Sequence, residues 1–122
     1  MSGLRSYQDL EVWKKSIDWA EAIYRASSEW PHVERFGLTS QVRRAAVSIP
    51  ANIAEGAERH GRAEFLHFLG VAKGSLAEAE THLLIAERLG FLTPVDRQPL
   101  REAASEIGRM LSGLTRSLRS KA

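Results

Sequence analysis

Apolar residues recur at spacings of three and four along most of the chain, and this pattern predicts four α-helices. Such spacing places apolar side chains on one face of a helix, which can then pack against other helices. No segment alternates apolar and polar residues as a half-buried strand does. The predicted helices span about residues 7–30, 39–57, 63–89 and 96–119. We expect one domain over residues 1–122, an all-α, antiparallel up-down four-helix bundle.

The first predicted helix carries two apolar stripes, although one is enough for packing within its own bundle. The first stripe contains Leu10, Trp13, Ile17, Ala20 and Tyr24, and the second contains Val12, Trp19, Ile23, Ala26 and Trp30. Together they cover about half of the helix circumference at about 100° per residue. Exposed tryptophans are unusual on a monomer, so the second stripe is expected to contact another subunit. The pattern therefore predicts a homo-oligomer.

Local signals predict where the helices begin and end. Ser6 is expected to cap the first helix, and Thr39 or Ser40 the second. Gly90 suits the C-terminal end of the third helix, and Pro94 prevents that helix from continuing.

The segment "VSIPANIAEG", residues 47–56, places a proline inside the second predicted helix. The apolar spacing continues through Pro50, which is not expected of a ligand-binding loop. Proline removes one backbone donor, so we expect a kink, with Ser48 hydrogen bonding back to the chain. The alternative is a break, in which Ser48 or Ile49 caps a new helix with Pro50 in its first turn. In both cases the element ends within Gly56–Gly61.

The third predicted helix contains two glycines, Gly70 and Gly74, four residues apart on one face. Each costs about 1 kcal/mol relative to alanine in a helix, so the pair predicts close packing of another backbone. The pair lacks the Lys-Ser/Thr of a phosphate-binding loop.

The composition suits one hydrophobic core and excludes sites built on cysteine. The chain has 122 residues, of which 43% are hydrophobic and none is cysteine. The N-terminal region has no apolar stretch long enough for a signal peptide or a membrane span, so a cytoplasmic protein without a membrane partner is expected. Arginine makes up 13 of the 17 basic residues. This bias favours anionic partners, although a GC-rich genome produces the same bias.

No arrangement of residues predicts catalysis or metal binding. Glu64 and His67 have the Glu-x-x-His spacing of di-iron bundles, but no other helix supplies a matching pair. Ser48 and His60 lack an acidic partner and an oxyanion element. We therefore expect neither an enzyme nor a bound cofactor.

Basic residues without acidic neighbours form the candidate site, a surface for a polyanion. The net charge is only +2, but no acidic residue follows Glu106. A solvated helical face with a frayed tail is the alternative for one subunit, whereas a symmetric ring adds the fields of repeated patches. Arg44 and Glu55 have a second interpretation, in which each pairs with a charge on a neighbouring helix. The candidate nucleic-acid-binding residues are Arg43, Arg44, Arg59, Arg62, Arg116, Arg119 and Lys121.

Three segments resemble a known family. They are "YQDLEVWKKSIDWAEAIY", "WPHVERFGLTSQVRRAAVSIPANIAEGAER" and "EFLHFLGVAKGSLAEAETHLLIAERLGFL". Over about residues 7–118 the chain resembles the four helix bundle protein family, also known as the 23S rRNA intervening-sequence proteins. It also resembles the accessory variability protein of diversity-generating retroelements. The most specific match is "Q-x-R-R-A-x-x-S-I-P-x-N-I-A-E-G", at residues 41–56.

The resemblance implies an up-down bundle that assembles into a pentameric ring, with a basic surface that binds nucleic acid in the retroelement relatives. The family's basic and serine-rich stretch before the third helix is short here, only "RHGRAE", which weakens the transfer of that contact. Two functions remain open. One is a non-enzymatic oligomeric module that binds RNA or RNA–DNA without reading its sequence. The other is a protein-interaction scaffold that docks a partner such as a reverse transcriptase.

Overall fold

The computed structural model describes residues 6–121 and contains four α-helices joined by short connectors. The helices are α1 (Glu11–Ser27), α2 (Leu38–Glu58), α3 (Arg62–Arg88) and α4 (Pro94–Arg119), and two 3-10 turns, Tyr7–Asp9 and His32–Glu34, precede α1 and α2. Residues 6–121 contain no strand, so the predicted all-α class is confirmed. None of the helices in this range combines the length and the apolar character needed to cross a bilayer.

The core is one cluster of apolar side chains drawn from all four helices. Burial of each Leu or Ile in it stabilises the fold by about 1.5–3 kcal/mol. The spacing of three and four residues identified the core of the last three helices correctly. The apolar positions that repeat at this spacing and are buried include Val42, Ala45, Ile49, Ile53, Leu69, Ala72, Leu76, Ala79, Leu83, Ala86, Leu100, Ala104, Ile107 and Leu111.

The burial of α1 contradicts the role predicted for its second stripe. Trp19 and Trp30, from the stripe assigned to another subunit, are buried within the chain, and Trp19 Nε1 donates to the carbonyl oxygen of Leu100 at 2.9 Å. In the other stripe Ile17 is 41% exposed and Tyr24 is 46% exposed. The prediction that the second stripe forms a subunit contact is therefore wrong. The outward face of α1 contains Ile17 and Tyr24, whereas Ala20 of the same stripe is buried and Leu10 and Trp13 pack against the core.

Two buried serines explain why the role of the second stripe was predicted wrongly. Ser16 and Ser27 are buried in α1. The Ser16 hydroxyl donates to the Val12 carbonyl and the Ser27 hydroxyl donates to the Ile23 carbonyl, each at 2.7 Å. A serine that satisfies its hydroxyl in this way loses little by burial. In the sequence these positions counted as polar, so the buried face was underestimated.

Both ends of α1 lie inside the predicted range. The Ser6 hydroxyl accepts a hydrogen bond from the Gln8 N–H at 3.0 Å, but it caps the 3-10 turn rather than α1. At the other end Trp30 lies outside the helix, because the residue before Pro31 is restricted to non-helical geometry.

The cap of α2 comes from the connector that precedes it. The Glu34 carboxylate accepts a hydrogen bond from the Leu38 N–H at 3.0 Å, and Gly37 is the N-cap residue. Thr39 and Ser40 lie within the helix, so the prediction that one of them is the cap is wrong. Sequence rules look for a capping side chain at the N-cap position itself, and Glu34 lies three residues before it.

The turn between α3 and α4 follows its sequence signals. Gly90 has a φ of +82°, in the left-handed region that favours glycine, and the Phe91 N–H donates to the Ala86 carbonyl at 2.9 Å. Thr93 then caps α4 by accepting from the Asp96 N–H at 3.0 Å. Because its ring fits the first turn of a helix, Pro94 begins α4 as well as ending the turn.

Helix α2 continues through Pro50, so the alternative of a break is wrong. Ser48 does not relieve the proline by bonding back to the preceding turn as predicted. Its Oγ lies 2.9 Å from Ser75 Oγ and accepts from Asn52 Nδ2 at 2.8 Å, and Asn52 Nδ2 also donates to the Ser48 carbonyl at 2.7 Å. Ser48 therefore links α2 to α3. The kink stays a prediction.

Close packing of helices occurs at Gly56 rather than at the two glycines singled out in the sequence. Gly56 is buried, and a Cβ placed on it would lie 2.7 Å from the Phe68 Cβ and 3.3 Å from the Phe65 carbonyl oxygen. Gly70 and Gly74 are exposed, and a Cβ on either would have no neighbour within 4 Å. The predicted packing of another backbone against these two is therefore not found among the helices of this chain.

We predict opposite effects of alanine at Gly56 and at Gly70. At Gly56 the overlap with Phe68 outweighs the gain in helix propensity, so the free energy of unfolding should fall by about 1–2 kcal/mol. At Gly70 only the gain in helix propensity applies, so the free energy of unfolding should rise by about 0.5–1 kcal/mol. Urea unfolding followed by circular dichroism measures both. Equal stability of the two variants would contradict the tight contact at Gly56.

Candidate nucleic-acid interface

The seven basic residues that were predicted to bind nucleic acid lie in three parts of the fold. Arg43 and Arg44 are in the first half of α2, Arg59 and Arg62 flank the α2–α3 turn, and Arg116, Arg119 and Lys121 lie at the end of α4. The surroundings of the three groups differ.

A groove between α3 and α4 brings Arg116 and Arg119 together with Lys73, which the sequence analysis missed. This basic groove has a volume of about 310 Å³ and is lined by Leu66, Leu69, Gly70, Lys73, Ser112, Thr115, Arg116 and Arg119. None of these side chains is acidic. Lys73 Nζ donates to Ser112 Oγ at 2.9 Å, which holds the ammonium group at the seam of the two helices. Arg116 and Arg119 form no ion pair with any residue in the range 6–121.

Small side chains keep the basic groove open. Gly70 is exposed and has no side chain, so α3 presents bare backbone on this side. Thr115 satisfies its own hydroxyl by donating to the Leu111 carbonyl at 2.8 Å. The charged ends of Arg116 and Arg119 are therefore free to contact a ligand placed in the groove.

The two arginines at the α2–α3 turn differ in how far their charge is compensated. Arg59 pairs with Glu55 at 2.6 Å and with Glu64 at 3.7 Å, and its guanidinium lies 5.2 Å from the centre of the Phe68 ring. Glu55 was predicted to pair with a charge on a neighbouring helix, but it pairs with Arg59, the residue that follows α2. Arg62 begins α3, is exposed and makes no ion pair among the residues that the structure describes. Of these two arginines, Arg62 is therefore the one whose charge is available to a ligand.

Arg43 connects α2 to the end of α1. Its Nε donates to Ser27 Oγ at 2.8 Å, its Nη2 donates to the Tyr24 carbonyl at 3.2 Å, and its guanidinium lies 4.6 Å from the centre of the Tyr24 ring. These contacts give Arg43 a structural role. The adjacent Arg44 points to a different surface and is exposed.

Arg44 lines a second groove, between α2 and α3, with a volume of about 500 Å³. Glu78 carries the opposite charge in this polar groove, yet no ion pair joins it to Arg44. The Ser48–Ser75 hydroxyl contact lies at the seam of the two helices. The residues that define the polar groove are Phe36, Ser40, Gln41, Arg44, Ala45, Ser48, Ser75 and Glu78.

Among the residues that the structure describes, Glu78 is the one acidic residue that lines either groove, and its carboxylate lies 3.9 Å from Nε2 of the buried His82. Within the described range no three His, Asp or Glu residues are grouped as metal ligands, and His67 packs its ring edge against Phe68 at 5.1 Å. Burial raises the pKa of the Glu80 carboxyl, while Arg97 and Arg101 oppose this shift. Glu80 lines neither groove. The two grooves offer a ligand cations, hydroxyl groups, an amide, one carboxylate and an aromatic ring.

Comparison with known proteins places this chain in a family. Residues 8–113 match the 23S rRNA-intervening sequence protein family. The fold is similar to that of a crystal structure of a protein with unknown function from the S23 ribosomal protein family of Bacteroides thetaiotaomicron VPI-5482. The two chains are 26% identical with a TM-score of 0.77, over 85% of this chain and 97% of that chain. No match was found among curated proteins. Because the matched span covers most of the four helices, this chain belongs to the 23S rRNA-intervening sequence protein family.

Proposed function

We propose that this protein is a non-enzymatic, cytoplasmic oligomer that binds nucleic acid, RNA or RNA–DNA, without reading its sequence. In this proposal each subunit is an antiparallel up-down bundle with α2 kinked at Pro50. The basic groove carries the proposal, because it brings three cations together with no acidic neighbour among its lining residues.

The basic groove suits a phosphate backbone. Guanidinium groups make forked hydrogen bonds to phosphate oxygens, and a lysine contributes a point charge. Each phosphate that a cation neutralises releases condensed counterions, which is the main driving force of sequence-independent binding. Arg62 lies one helical turn before Leu66 of the groove, and Lys121 lies two residues beyond Arg119. Both extend the basic surface. No side chain of this groove has the planar amide used to read base edges.

The outward face of α1 supports assembly. Ile17 and Tyr24 are exposed there, and Val47 of the adjacent α2 is exposed as well. Exposed apolar side chains on two neighbouring helices are candidates for burial against another subunit. We propose that copies of the chain pack through this face into a ring, with five subunits as the family resemblance implies. The ring repeats the basic groove around its axis, and the fields of the repeated grooves add.

The alternative function is a protein-interaction scaffold, with a partner such as a reverse transcriptase. A groove between α1 and α4 favours it, because that groove is lined mainly by apolar side chains, including Ala22, Leu100 and Ala103, and has a volume of about 240 Å³. A groove of this kind suits an apolar segment of another protein.

We predict that nucleic-acid binding depends on salt through the basic groove. Replacing Lys73, Arg116 and Arg119 by glutamine removes three cations. The slope of log affinity against log salt should therefore become shallower by about two to three units. Fluorescence anisotropy with a labelled RNA at several salt concentrations measures the slope. A matched control removes three cations elsewhere, at Lys14, Arg25 and Arg88.

The control variant should keep the slope of the wild type, although its net charge is the same as that of the groove variant. Identical slopes for all three proteins would show that the groove does not contact phosphate. Absence of binding by the wild type at low salt would favour the protein-scaffold function instead.

We predict that charge at the exposed apolar positions of α1 and α2 disrupts assembly. The Ile17→Arg, Val47→Arg variant places desolvated like charges at the proposed contact and should scatter light at a lower mass than the wild type. The wild type should give about five times the chain mass of 13.6 kDa. Val95→Arg, at another exposed apolar position, is the control and should assemble normally. A monomeric wild type at micromolar concentration would disprove the assembly.

A further inference from the structure

Phe36 is a prominent exposed residue that takes no part in the basic groove. Phe36, on the connector between α1 and α2, is 84% exposed and forms one wall of the polar groove. A single exposed phenylalanine needs no explanation by itself. This one is held beside a cavity that contains a cation, an anion, an amide and hydroxyl groups, so its surroundings are those of a binding site rather than of a bare surface.

The connector holds Phe36 in a fixed position. The Glu34 N–H donates to the Pro31 carbonyl and the Gly37 N–H to the Glu34 carbonyl, each at 2.9 Å. The Glu34 carboxylate caps α2 at Leu38. A Cβ on Gly37 would lie 2.8 Å from Glu34 Oε1, so glycine leaves the space that this cap occupies. Because these hydrogen bonds already order the backbone of the connector, a ligand that contacts the ring has to order only the Phe36 side chain.

One face of the Phe36 ring is covered and the other is available. The Arg35 guanidinium lies 4.6 Å from the centre of the ring. Because Phe36 is so exposed, the opposite face is open to a flat partner. Every nucleobase has such a face, and stacking on aromatic side chains is the usual way in which proteins hold unpaired bases.

The polar groove beside the ring suits one nucleotide. Its volume of about 500 Å³ lies in the range of small-ligand sites. The Gln41 amide offers both donors and an acceptor, and the Glu78 carboxylate accepts from the amino groups of bases. Arg44 makes no ion pair with a described residue and supplies a cation for the phosphate. Asn52 directs its amide nitrogen at Ser48, which holds the Ser48 hydroxyl in place.

We propose that Phe36 and the polar groove hold one unstacked nucleotide of a single-stranded nucleic acid. The base stacks on the open face of Phe36, its edge contacts Gln41 and Glu78, and its phosphate contacts Arg44. This inference rests on the proposed function and adds to it a preference for single strands, because bases within a duplex have both faces covered. Stacking accepts any base, and the contacts with Gln41 and Glu78 favour a base with an amino group at this one position without fixing the sequence of the strand.

The test compares a 12-nucleotide single-stranded oligoadenylate RNA with a 12-base-pair RNA duplex, by fluorescence anisotropy at low salt and along a salt titration. Phe36→Leu keeps an apolar side chain and removes the ring. It should weaken single-strand binding by about fivefold or more and leave the salt slope unchanged, because stacking releases no counterions. Phe36→Trp should keep the affinity. Arg44→Gln should make the slope shallower by about 0.7. Val33→Ala, at an exposed position on the same connector, is the control and should bind like the wild type.

Three results would overturn the inference. If Phe36→Leu binds single strands like the wild type while binding remains salt-dependent, the nucleotide site is wrong and the proposed function stands. If Phe36→Leu weakens the single strand and the duplex equally, the ring does not select unpaired bases. If the wild type binds neither RNA at low salt, both the site and the proposed function are wrong.

Discussion

The contact between α2 and α3 at Gly56 determines how the rest of the molecule is arranged. With no side chain at this position, α2 approaches the Phe68 side chain and the backbone of α3 directly. This close approach fixes the register of the two helices. Ser48, about two turns before Gly56, consequently meets Ser75, about two turns after Phe68. The same register places Arg44 and Glu78 in one groove, so the polar site is a consequence of the packing of the core.

Glycine has the opposite effect on the outer side of α3. Gly56 has no side chain, so α2 and α3 can meet there. Gly70 also has no side chain, but no other residue packs at that position, and the space left open is part of the basic groove. An exposed glycine in a helix costs stability without any gain in packing. The cost is consistent with a surface kept open for a ligand. At both positions the absence of a side chain determines the shape of a groove, and charged residues line that groove.

Periodicity predicted the four helices and most of the core, because the burial of one helix face is a local property of the sequence. It failed where burial depends on a hydrogen bond, as at Ser16 and Ser27, whose hydroxyls are satisfied within α1. The candidate site was predicted in part. Arg116 and Arg119 were found from the absence of nearby acidic residues. Lys73 was missed because its partner Ser112 lies 39 positions away, and only the packing of α3 on α4 brings them together.

In the proposed function, the arrangement of charges rather than their sum lets the protein bind a polyanion. The formal net charge is only +2, from 17 basic and 15 acidic side chains. Several cations, such as Arg25 and Arg59, are compensated by a glutamate within the same helix or turn. At about 0.1 M salt the Debye length is about 10 Å, so charges farther away are largely screened. A phosphate in the basic groove therefore interacts chiefly with Lys73 and its arginine neighbours. The binding strength then depends on cations that lie close together with no acidic side chain among them. A protein with a net charge near zero can therefore still bind a polyanion.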